Sequence, residues 1–186
     1  MGEIKSALEI ALERAERIGT ISKEELEAQK WEEEGKKKAA AFLKGEVESL
    51  QQVFTDVPPQ HIQTALKGVT EVLLRNVMLP REKNQWDAIN RAFQGLKEIK
   101  GSIAEQIVPQ MEYLLKNYEQ TVENYKKQFQ QQIQASIGAK AQGGMMSMSQ
   151  EEMEALASMQ DEWNKISSEI SSQFEKQLEP LKAYLR

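Results

Sequence analysis

Residues 102–137 read SIAEQIVPQMEYLLKNYEQTVENYKKQFQQQIQASI, and this stretch decides the fold. Ile103, Ile107, Met111, Leu114, Tyr118, Val122, Tyr125, Phe129 and Ile133 recur at steps of three or four, so one long helix places all of them on a single stripe. Strict alternation, the mark of a half-buried strand, is absent. Gly101 stops the preceding segment, and Ser102 with Glu105 forms a capping box that starts the new one. Pro109 lacks an amide proton, so it should kink this helix or move its start forward. The glutamines of Tyr125–Gln134 form the polar face between stripe positions.

Residues 149–186, SQEEMEALASMQDEWNKISSEISSQFEKQLEPLKAYLR, repeat the pattern. Ser149 and Glu152 make a further capping box. Met153, Leu156, Gln160, Trp163, Ile166, Ile170, Phe174, Leu178, Leu181 and Leu185 form the stripe, with Pro180 near its end. Two helices of about 36 residues, each about 54 Å long at 1.5 Å per residue, joined by one connection, are expected to fold as an antiparallel, coiled-coil-like hairpin.

The upstream chain reads as shorter helices. Ile4, Leu8, Ala11, Ala15 and Ile18 share one face of a helix over residues 3–18, and Gly19 ends it. Ser22 and Glu25 cap the next, which contains WEEEGKKKAAAFLKG at 31–45. Glu32, Glu33 and Glu34 stand four residues before Lys36, Lys37 and Lys38, the favourable orientation for ion pairs along a helix. We read this charge run as a solvated face. Gly35 falls on the stripe of Ala28, Trp31, Ala39 and Phe42, where a missing side chain lets a second helix approach. Close packing is therefore expected at Gly35 and Trp31. A short helix over 46–55 presents Val47, Leu50, Val53 and Phe54 before Val57-Pro58-Pro59 breaks it. The following helix presents Ile62, Leu66, Val69, Leu73 and Val77. Another, from Pro80 to about Lys100, presents Trp86, Ile89, Phe93, Leu96 and Ile99. The expected architecture is all-α: an N-terminal helical bundle over 1–101 and a long hairpin over 102–186 with a Gly/Met-rich tip at 138–148.

Composition narrows function. The 186 residues carry a net charge of −5, which disfavours nucleic acid, whose binding depends on neutralised phosphates. Residues 61–140 are mildly basic, with 11 basic against 8 acidic side chains, too few for a phosphate track. No apolar run approaches the 18 residues of a membrane span, and the acidic opening argues against a leader peptide. Gly2 and Ser6 fit the short myristoylation pattern, but Glu3 is a poor neighbour and we expect no lipid there. The expected location is the cytoplasm.

Candidate chemistry is sparse. There is no cysteine, hence no disulfide and no thiolate metal site. His61 is the sole histidine and has no Glu-x-x-His around it, which excludes the ferritin-like di-iron pattern; it reads as a helix-start residue. No phosphate-binding glycine loop occurs. Glu9, Glu13 and Glu16 share a helix side with Arg14 and Arg17 nearby and read as surface. We expect no enzyme activity, cofactor or metal. The exception to a packing explanation is the tip, where Met145, Met146 and Met148 precede the last helix. Flexible thioethers suit adaptable apolar contacts, and a connection of about eleven residues exceeds the usual 2 to 8 between bundle helices.

The opening MGEIKSALEIALERAE, the Ser22 cap and the WEEEGKKKAAAFLKG segment together resemble a group of bacterial all-helical proteins classed as a domain of unknown function. That resemblance implies a bacterial cytoplasmic protein and supplies no activity or site residue. The expected function is a non-enzymatic interaction or scaffold protein acting through helix packing, with a protein partner or as a homo-oligomer. The alternative is a chaperone-like or adaptor protein that holds an apolar client segment at Met145, Met146 and Met148.

Overall fold

The computed structural model describes residues 22–137 and 150–186, and among them the fold is all-α. Five α-helices follow in order: α1 Lys23–Lys44, α2 Ile62–Asn76, α3 Gln85–Lys100, α4 Ser102–Ile137 and α5 Gln150–Ala183, with 3-10 turns at Gln51–Phe54 and Pro59–His61. The expected helix over 3–18 and the Ser149–Glu152 capping box lie outside the described residues.

Local chemistry accounts for the boundaries. The Ser22 hydroxyl accepts the Glu25 amide proton at 3.1 Å while the Ser22 amide donates to the Glu25 carboxylate at 2.8 Å, so α1 opens with two otherwise orphaned donors satisfied. It closes at Gly45, whose φ of 84° lies in the left-handed region that favours glycine. The helix expected over 46–55 is reduced to one 3-10 turn, because the Ser49 hydroxyl takes the Gln51 amide proton and competes with a helical bond there. Leu50 and Val57 are nevertheless buried. Helix α3 begins at Gln85 rather than Pro80. The Gln85 side-chain oxygen reaches back to the amides of Arg81 and Glu82 at 2.6 and 3.2 Å, holding residues 80–84 as a turn.

Helix α4 runs from Ser102 to Ile137 with Pro109 inside it. Pro109 has no amide proton to give the Glu105 carbonyl, and both residues lie at exposed positions of the helix. One residue on, the Gln110 side-chain amide donates to the Gln106 carbonyl at 3.1 Å. These features let the helix continue through the proline.

By contacts the chain divides into two compact units, Met1–Val72 and Leu73–Arg186. The boundary expected at residue 101 separates α3 from the hairpin, whereas α3 packs along α4, and α4 along α5. In the second unit, Tyr118 bonds Ser171 and Phe129 lies against Trp163. Residue numbers rise on one helix as they fall on the other, so α4 and α5 run antiparallel. Trp86 of α3 meets Glu119, and α3 turns into α4 at Gly101, so these two are antiparallel as well. The core lies where all three helices overlap: Ile89, Phe93 and Leu96 of α3, Val108, Met111 and Leu115 of α4, and Ile170 and Leu178 of α5 are buried.

Candidate functional site

In the first unit, Gly35 and Gly68 form a reciprocal contact. A Cβ on Gly35 would run into the Ala65 carbonyl, and one on Gly68 would run into the Glu32 carbonyl. Helices α1 and α2 therefore meet backbone to backbone. Gly68 carries the same constraint from the opposite side and was not singled out in the sequence, although Ala65-x-x-Gly68 places two small residues on one helix face. Trp31, one turn before Gly35, stacks on His61 with ring centres 5.9 Å apart, and His61 Nε2 lies 3.6 Å from Glu27.

Charged groups strap the same crossing. Lys36 pairs with Glu32 and Glu33 on its own helix and with Glu71 on α2, while Lys67 of α2 reaches Glu32 at 2.9 Å. The hydrogen bond from Lys67, reinforced by Lys36, holds the Glu32 carboxyl below its ordinary value. The hydrogen bonds that Lys36 donates to Glu33, Glu32 and Glu71 raise its ammonium well above its ordinary value. The charge run is thus more than a solvated face, since two of its residues bridge to α2. Lys37 pairs with Glu34 three residues earlier, one residue short of the spacing expected. Lys36 with Glu71 and Lys67 with Glu32 tie α1 to α2, whereas Lys37 with Glu34 pairs along α1 alone.

The second unit carries the stronger candidate, the outer part of the α4–α5 hairpin. Inward from Tyr118 and Ile170 the seam buries Val108, Met111, Leu115 and Leu178, with Ile107, Phe174 and Leu181 half-buried beside them; outward, Val122, Phe129, Ile133, Leu156, Met159, Trp163 and Ile166 are all half-buried and none is buried. Tyr125 and Met153 are 45% and 48% exposed. The cause is geometric. Two helices cover each other along one stripe only, and α3, the third helix of the stem, ends at Gln85 opposite Glu119.

Where α3 stops, a groove of about 830 Å³ opens on the hairpin. It is lined by Tyr118, Val122 and Trp163, by Ser167, Ser168, Ser171 and Ser172 along α5, by Pro80, Arg81 and Lys83, and by Glu119, Glu123, Lys126 and Glu175. Two of the lining acids are engaged: Glu119 accepts the Trp86 indole proton at 3.2 Å, and Glu123 pairs with Lys127 at 3.0 Å. The hydrogen bond from Lys127 lowers the Glu123 carboxyl. Sequence reasoning missed this groove because its cations are scattered, Arg81 and Lys83 lying in a turn some forty residues from Lys126. The serine pairs at 167–168 and 171–172, one turn apart on a helix, were the available signal.

The proposed tip residues Met145, Met146 and Met148 lie outside the described residues. Among the described residues no group of three or more histidines, aspartates or glutamates is placed to hold a metal ion. No helix among them is long and apolar enough to cross a membrane.

No curated protein and no solved structure matches this chain. A family model does match, from the 3-10 turn at Gln51 through α5, downstream of the opening that carries the resemblance noted from sequence. Covering residues 51–186, it shows that the chain belongs to a family of unknown function, DUF6657.

Proposed function

We propose that this chain is a non-enzymatic interaction or scaffold protein that works through helix packing, in the cytoplasm, with a protein partner or a further copy of itself. The supporting observation is the contrast along α4. Its first half buries Val108, Met111 and Leu115 between α3 and α5, whereas Val122, Phe129 and Ile133 remain half-buried on a hairpin of two helices. Apolar area left facing water gains about 25 cal/mol per Å² when covered. A third or fourth helix laid on the outer hairpin recovers that energy without rearranging α4 or α5, because the stem already fixes their register.

The test compares the full chain with a Phe129→Ser, Ile133→Ser double variant, using light scattering over a concentration series and affinity capture with mass spectrometry. Association or capture by the wild type, lost in the variant while helicity is retained, is the expected result. A strict monomer at high concentration whose captured proteins are the same for both chains would overturn the reading.

A further inference from the structure

The chain has eight methionines and no cysteine, so an oxidant that attacks sulfur meets thioethers alone. Five of the eight, Met145, Met146, Met148, Met153 and Met159, fall between residues 145 and 159; the first three lie outside the described residues. The others differ sharply in access. Met111, in the stem, is fully buried, Met153 is 48% exposed, and Met159 is half-buried. One turn outward from the Phe129–Trp163 pair, the antiparallel register brings Met159 level with Ile133, which is also half-buried.

We infer that Met153 and Met159 are an oxidation site for peroxides, and that a sulfoxide at Met159 opens the outer hairpin. In the step, a thioether lone pair attacks one peroxide oxygen, an S–O bond forms and the O–O bond breaks. The sulfur is oxidised by two electrons, and the peroxide is reduced, its second oxygen leaving as water with both hydrogens. The product is polar where the thioether was apolar, so it favours water over the seam. Helix α3 ends at the level of Glu119, and among the described residues α4 and α5 alone hold the seam at Met159. Nothing else there resists their separation. In the stem, the burial that α3 completes keeps the oxidant from Met111.

The test treats the full chain with hydrogen peroxide and maps the added oxygen by mass spectrometry of peptides. Met153 and Met159 should react at least about tenfold faster than Met111, which is reached only when the stem unfolds. Met78, 42% exposed and outside the hairpin, should also react and serves as an internal control. In the oxidised chain, amides over 122–133 and 156–166 should exchange about fivefold faster or more, while those over 108–118 keep their rates. A Met153→Leu, Met159→Leu variant, close in volume, should keep wild-type hairpin exchange after the same treatment, even though Met78 still reacts. Met159→Gln, polar and of similar length, should show the faster exchange without oxidant. Oxidation of Met159 no faster than that of Met111, unchanged hairpin exchange after oxidation, or equal loosening in the double Leu variant would overturn the inference. The measurement concerns the chain alone, so its outcome is independent of the interaction reading above.

Discussion

Replacing Gly35 by alanine inverts an ordinary expectation. On an open helix face this change stabilises by about 1 kcal/mol, because alanine has less backbone freedom to lose. Here the added Cβ would collide with the Ala65 carbonyl, a backbone atom that moves only if α2 moves. Relieving the contact means separating α1 and α2 at their closest approach, where Ala39, Phe42 and Ala65 are fully or almost fully buried. Overpacking of this kind costs about 1–3 kcal/mol, and the upper part of that range outweighs the gain in propensity. We therefore expect net destabilisation of about 1–2 kcal/mol, read as a lower urea midpoint by far-UV circular dichroism. Gly68→Ala should behave alike, since its Cβ meets the Glu32 carbonyl. The double variant should cost less than the sum, because helices already displaced by one methyl accommodate the other. A Gly35→Ala protein more stable than wild type would refute the close crossing.

Three other outcomes follow from the packing. Thr70 is buried and its hydroxyl has no hydrogen-bond partner among the described residues, so Thr70→Val should stabilise by about 1 kcal/mol, raising the urea midpoint; a lowered midpoint would point to a bound water. Leu115 is fully buried, and Leu115→Ala should cost about 2–5 kcal/mol, whereas Ile133→Ala on the outer hairpin should cost clearly less; equal costs would contradict the gradient along α4. The lowered Glu32 carboxyl contributes stability above its ordinary value of 4.5, and that contribution is lost as pH falls through the lower folded value. A Glu32→Gln variant should therefore show a shallower loss of stability below about pH 4.5, with the difference shrinking in high salt; parallel curves would refute it.

The long helices were legible because their apolar residues keep one period for thirty residues, long enough to outweigh Pro109. The detail of the stripe was less so. Ile103 and Tyr125 sit on the expected stripe yet are 53% and 45% exposed, while Ala104, Val108 and Leu115 beside it are buried. Periodicity finds the centre of an apolar face; the number of neighbouring helices decides its width, and α3 widens it only along the stem. Gly35 stood out by interrupting a stripe of larger residues, but Gly68 has its meaning only from the other helix. The start of α3 was misplaced by five residues because Pro80 is a permissible first-turn residue, and the back-bonding of Gln85 that holds the turn has no signature in composition. The groove draws on three chain segments, which no local pattern joins.

The account rests on an outer hairpin whose apolar residues are only half-buried among the described residues. Amide hydrogen exchange along α4 tests that most directly, at a protein concentration low enough to keep the chain monomeric. Amides over 108–118, between α3 and α5, should exchange through global unfolding, and those over 122–133 should open locally and exchange far faster, slowing when a partner or a second copy binds. Uniformly strong protection along the whole of α4 in the isolated monomer would contradict the account.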